Sequence, residues 1–79
     1  MILKEGDYIW IEWNEDINYD ILGKRTLFRC SLAIDSLMYC ESGSIAAMNV
    51  SIDTEEKSYM YSAIYPATDE EVIQWKMEQ

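Results

Sequence analysis

Tyr8-Ile9-Trp10-Ile11-Glu12-Trp13 decides the fold class. The period of two makes it a pleated strand with Ile9, Ile11 and Trp13 on one face and Tyr8, Trp10 and Glu12 on the other. The first face is core. The second sets two aromatics beside a carboxylate, which is either a second packing surface or a contact patch. Lys4-Glu5-Gly6-Asp7 ahead of it is a charged turn of the kind that starts small barrels.

The pattern repeats downstream. Asn14 to Gly23 is polar and is expected to be a long loop or hairpin tip, after which Lys24 and Arg25 open a second strand. Over Thr26–Ile34, simple alternation places Phe28, Cys30, Leu32 and Ile34 on one face and Leu27, Arg29, Ser31 and Ala33 on the other. Asp35-Ser36 breaks the run and Leu37–Cys40 resumes it; a helix over Ser31–Cys40 also satisfies the spacing, but strands are preferred. Ser44–Asp53 alternates Ala46, Met48, Val50 and Ile52 against Ile45, Ala47, Asn49 and Ser51. The charged turn Thr54-Glu55-Glu56 predicts that this strand pairs with Ser58–Tyr65 as an antiparallel hairpin, with Tyr59, Tyr61 and Tyr65 along one side.

Pro66 ends the sheet because it cannot donate to a ladder. Thr68-Asp69-Glu70-Glu71 is a capping box that starts a helix running to about Met77, with Val72, Ile73 and Trp75 available to pack and Trp75 as its anchor. Trp13 and Trp75 are expected to close the core between strand and helix. The fold class is therefore α+β and mostly β: a small bent antiparallel sheet or SH3-like barrel of four or five strands with a C-terminal helix, in one domain over residues 1–79.

Composition narrows the function. Fifteen carboxylates against six Lys/Arg and no histidine give a net charge of −9, on a chain whose 49% hydrophobic content is high enough to fold. The amino terminus reaches charge and glycine almost at once, and no apolar run approaches a membrane span, so a cytoplasmic location without membrane contact is expected. Cys30 and Cys40 would stay reduced there as small core or half-buried residues.

Without histidine the chain lacks the commonest general base and metal ligand, and its three unclustered glycines form no phosphate loop, so it is not expected to be an enzyme. Carboxylate pairs such as Glu15/Asp16 and Glu55/Glu56 are solvated turns in a domain too small for a sugar cleft. Asp16-Ile17-Asn18-Tyr19-Asp20 matches the opening of a calcium loop, yet Ile21 replaces its glycine and Leu27 its closing glutamate; no metal and no cofactor are expected. Asn49-Val50-Ser51 is a glycosylation triplet by coincidence. Direct nucleic-acid binding needs a basic groove, which the sparse cations do not supply.

Protein recognition remains. Acids along turns and a helix start can occupy a basic groove, steered by charge and anchored by aromatics. The candidate partner-binding residues are Tyr8, Trp10, Glu12, Glu15, Asp16, Asp20, Glu55, Glu56, Tyr59 and Tyr61, with Trp10 equally readable as core. In its sparse Lys/Arg, its turns Asn14-Glu15-Asp16 and Thr54-Glu55-Glu56 and its tail Pro66–Val72, the chain resembles the small acidic phage-encoded inhibitors of host defence, of the anti-CRISPR and anti-restriction type. That resemblance implies a host protein with a basic surface as partner, such as a nucleic-acid-handling defence enzyme whose groove is occluded. The alternative is a structural module that self-associates, as a homodimer or larger assembly, through an exposed strand and its aromatics.

Overall fold

The structure is a computed structural model and describes residues 2–14, 24–43, 46–55 and 60–78. Five strands and one helix follow in chain order: β1 (Tyr8–Trp13), β2 (Arg25–Ile34), β3 (Leu37–Ser42), β4 (Ala46–Ser51), β5 (Tyr61–Pro66) and α1 (Asp69–Met77). The strands form one antiparallel sheet in the order β4-β3-β2-β1-β5, curled into a half-barrel, with α1 laid on its outer face. The expected Asn14–Gly23 loop lies outside the described residues beyond Asn14.

The concave face is the main core. Ile9, Ile11 and Trp13 of β1 meet Phe28 and Cys30 of β2, Met38 and Cys40 of β3, Val50 of β4 and Leu3 of the amino-terminal segment, all buried. Trp13 meets Phe28 edge-on at 6.1 Å, and its indole Nε1 donates to the buried Thr26 hydroxyl at 2.9 Å. That bond satisfies two polar groups that would otherwise destabilise the interior.

The expected pairing of the last two strands fails because other segments take their partners. β4 and β5 do not form a hairpin; they are the two ends of the sheet, with β4 on β3 and β5 on β1. The chain leaving β4 is taken by the amino terminus: the Leu3 amide donates to the Ile52 carbonyl at 3.0 Å, and Ile2 bridges Asp53. The Glu55 amide then donates to Asp53 Oδ1 at 3.0 Å in a local turn. β1 still has an open edge, and β5 takes it.

Two β-bulges also overturn the simple alternation. On β2 the partner of Cys30 is Cys40 and that of Leu32 is Tyr39, so Ser31 is the extra residue and every later side chain changes face. Leu32 and Ile34, expected inside with Phe28, are instead exposed on the outer face. On β5 the partner of Glu12 is Ala63 and that of Trp13 is Tyr61. Tyr61 therefore packs inward on the main core while Tyr65 points outward to the helix, so the two do not share a side.

The cause of the first bulge lies in the Lys4–Asp7 turn. The Gly6 amide donates to the Cys30 carbonyl at 2.7 Å, and the Cys30 amide donates to the Asp7 carbonyl at 2.8 Å. β2 is held by this turn on one side at Cys30, and the bulge re-registers the rest of it on β3. Gly6, at φ 92, supplies a left-handed conformation that a side chain disfavours. The β2–β3 connection is the two-residue turn Asp35-Ser36, with Asp35 at φ 56, so residues 31–40 are strands and not a helix.

α1 begins as expected. The Glu71 amide donates to the Thr68 hydroxyl at 3.2 Å and Glu71 Oε1 accepts from the Thr68 amide at 3.0 Å, the reciprocal capping box. Val72 and Trp75 pack on the sheet, but Ile73 points to solvent at 60% exposure. Trp75 does anchor the helix, yet against Trp10, at 5.5 Å and edge-on, rather than in the core of Trp13 on the opposite face. A helix docked on one face cannot share a core with the other.

Candidate protein-binding surface

The outer face divides into a roofed part and a bare part. Under α1 lie Trp10 and Leu27, a direct cross-strand pair, with Val72 closing over them and Tyr8, Tyr65, Ala67 and Trp75 at the margin. Trp10 is 5% exposed, which makes it core to this second cluster and removes it as a free anchor. Sequence alternation places it correctly on the second face of β1; the covering helix decides its role.

A polar clasp rims this cluster. The Trp10 indole Nε1 donates to Glu71 Oε2 at 3.0 Å, the Arg25 guanidinium stacks 3.9 Å from the Trp10 ring centroid, and Arg25 also lies 3.5 Å from Glu71 Oε2. Arg25 Nη1 donates to the Tyr65 hydroxyl at 3.0 Å, which donates in turn to Glu12 Oε2 at 3.1 Å. The Thr68 backbone amide, with help from the Thr68 hydroxyl, Trp10 and Arg25, holds the Glu71 carboxyl below its ordinary pKa. The hydrogen bond to Tyr65 likewise raises Arg25 above its usual value. Glu12 is thus a half-buried acceptor in the clasp as well as a surface carboxylate.

Between α1 and the middle strands runs a groove of about 370 Å³ lined in part by Tyr8, Leu27, Trp75, Arg29, Glu41 and Lys76. Lys76 Nζ sits 5.1 Å from the Tyr8 ring centroid, and Arg29 pairs with Glu41 at 3.5 Å. Tyr8 is therefore half-buried at the groove wall. The cations of β2 and α1 are engaged by aromatic faces or carboxylates, which leaves the acidic excess to dominate the surface.

The predicted partner-binding residues do not gather in one place. Tyr8 and Glu12 are on the outer face of β1, Trp10 is beneath the helix, Tyr61 is on the inner face, and Glu55 is exposed in the turn after β4. Glu15, Asp16, Asp20, Glu56 and Tyr59 lie outside the described residues. The first-turn acids Asp69 and Glu70 are exposed as well.

Sequence reasoning missed the bare part of the face. Beyond Arg29 and Glu41, Leu32 pairs with Tyr39 and Ile34 with Leu37, all exposed. Register arithmetic contains the signal: with a two-residue turn and no bulge, Cys30 would oppose Glu41 and draw a carboxylate toward the core. The bulge avoids that by pairing Cys30 with Cys40. These two thiols are free and fully buried, and the hydrogen-bonding contact with Cys30, together with burial, pushes the Cys40 pKa upward.

Among the described residues no group of three or more His, Cys, Asp or Glu side chains could hold a metal ion, and the Asp16–Asp20 pattern falls outside them. No helix among the described residues is long and apolar enough to cross a membrane. Comparison with protein-family models, with curated proteins and with solved structures finds no match to this chain.

Proposed function

We propose that this chain is an acidic protein-binding inhibitor, of the kind phages direct against host defence proteins, and that it binds the basic surface of a nucleic-acid-handling host protein. The observation that carries this reading is the charge imbalance: a net −9 on 79 residues, with Arg25, Arg29 and Lys76 occupied within the fold. Exposed acids at Asp35, Glu55, Asp69 and Glu70 stand on turns and on a helix start held by a rigid sheet. Charges placed this way speed encounter with a basic groove and compete with the phosphates that such a groove serves.

The test is capture of a nucleic-acid-handling partner from host lysate, followed by affinity across a salt series. Charge reversal at Glu15, Asp16, Glu55 and Glu56 should weaken binding while the melt is retained, and the parent should lose affinity as salt rises. Affinity that ignores both changes would sink the electrostatic reading. A self-associating module is the second reading, favoured by β4 and β5, which are each hydrogen-bonded to one neighbouring strand among the described residues.

A further inference from the structure

α1 roofs only the β5-β1-β2 part of the outer face, and the turn end of the β2–β3 hairpin is left bare. There the cross-strand pairs Leu32–Tyr39 and Ile34–Leu37 lie side by side, with exposures of 48% and 39% in the first pair and 59% and 45% in the second. The patch exists because of the bulge at Ser31, which turns Leu32 and Ile34 out of the core and onto the face of Leu37 and Tyr39. Bulges that re-aim side chains are concentrated at functional edges, and a contiguous exposed apolar patch marks an interaction site.

Its surroundings are acidic. Asp35 stands between Ile34 and Leu37 in the turn, and Glu5 reaches the strand between Leu32 and Ile34, its Oε1 accepting from the Ala33 amide at 3.2 Å. At the other end Arg29 is matched by Glu41 at 3.5 Å. Among the described residues no ion pair matches Asp35 or Glu5, so the rim carries negative charge around an apolar centre.

We infer that this hairpin end is the anchor site for a protein partner that presents apolar side chains framed by Lys or Arg. The inference rests on the protein-binding reading above and gives it a location and a partner chemistry. Tyr39 and Leu37 supply the area to be desolvated, and Asp35 and Glu5 select cations at the rim. A second copy of the chain fits less well, because it brings another net charge of −9 against the same acidic rim. Ile73 and Met77 on the solvent side of α1 form a rival patch, but they are one pair a helical turn apart, whereas the hairpin presents paired rows on a sheet.

Two synthetic peptides of equal positive charge test this, one alternating Lys with Leu at helical spacing and one with Ser in place of Leu. The Lys/Leu peptide should bind at least about tenfold more tightly, with amide shifts centred on Leu32, Ile34, Leu37 and Tyr39. The double variant Leu32→Ser/Leu37→Ser should lose that advantage, keep its affinity for the Lys/Ser peptide and keep its melt, since both side chains are exposed. Equal affinities, no binding of the Lys/Leu peptide, or shifts centred on Ile73 and Met77 would overturn the inference. So would concentration-dependent shifts of the hairpin without peptide that strengthen with salt, which would make the occupant a second copy. If neither peptide responds to salt, the charge-led, basic-partner reading fails by itself, and the Leu-against-Ser contrast still decides the patch.

Discussion

Replacing Trp75 with alanine should separate the two faces of the sheet. A buried Trp covers about 150–250 Å². Trp75 is only partly buried against Trp10, so the lower figure applies and corresponds to about 4 kcal/mol at ~25 cal/mol per Å². An unfolded chain that already hides some of this area reduces it to about 2–3 kcal/mol, and loss of the edge-on contact with Trp10 adds about 1 kcal/mol. Domains of this size hold about 4–12 kcal/mol in total, so the variant should stay folded around the Trp13–Phe28 core while α1 loosens. The melting temperature should fall by about 12–32 °C, with loss of helical ellipticity and a shift in Trp10 fluorescence. A melt within about 3 °C of the parent, with the helical signal intact, would refute docking through the Trp10–Trp75 contact.

The bulge can be checked by contrast: Phe28→Ala should cost about 3–5 kcal/mol, whereas Leu32→Ser, four residues on, should change stability by less than about 0.5 kcal/mol in denaturant titration. Comparable losses would put Leu32 back in the core. Glu71 predicts an acid limb. Its folded pKa is lowered, so its contribution is present above the unfolded value, about 4.3, and is lost as pH falls through the lower folded value. The gap in melting temperature between the parent and Glu71→Gln should therefore be steady near neutrality and close in acid; a gap that is the same throughout would exclude this role. Cys30 and Cys40, fully buried, should react with a thiol reagent only upon unfolding, and rapid labelling of the native protein would contradict their burial.

Much of the fold is legible in the sequence because its signals are local. The alternation in Tyr8–Trp13, the two-residue break at Asp35-Ser36, Pro66 and the Thr68/Glu71 capping box each depend on neighbours a few residues apart, and the structure has the corresponding elements. What was misread depends on distant partners. Leu32, Ile34 and Tyr61 change face through bulges that exist only because strands from elsewhere fix the register. β4 loses its expected hairpin because residues near the amino terminus reach Ile52 and Asp53 first. For the same reason the burial of Trp10 could not be read from β1, since the helix that covers it lies about sixty residues further along the chain. The anchor patch was hidden by its bulge, although the awkward opposition of Cys30 and Glu41 in an unbulged hairpin was already a warning.

The strand order has a consequence for synthesis. From β1 to β4 each strand pairs with the next one in sequence, so each of these hairpins can close soon after it leaves the ribosome. β1, however, waits for β5 and α1, which are made after β2, β3 and β4, and at about 5–20 residues per second that delay lasts about 3–13 seconds. Throughout it, the nascent sheet shows the unpaired edge of β1 and an uncovered Trp10. The first of the five strands to be made is the one most exposed to chaperones and to premature association, and a ribosome stalled before Tyr61 would hold the sheet in that open state.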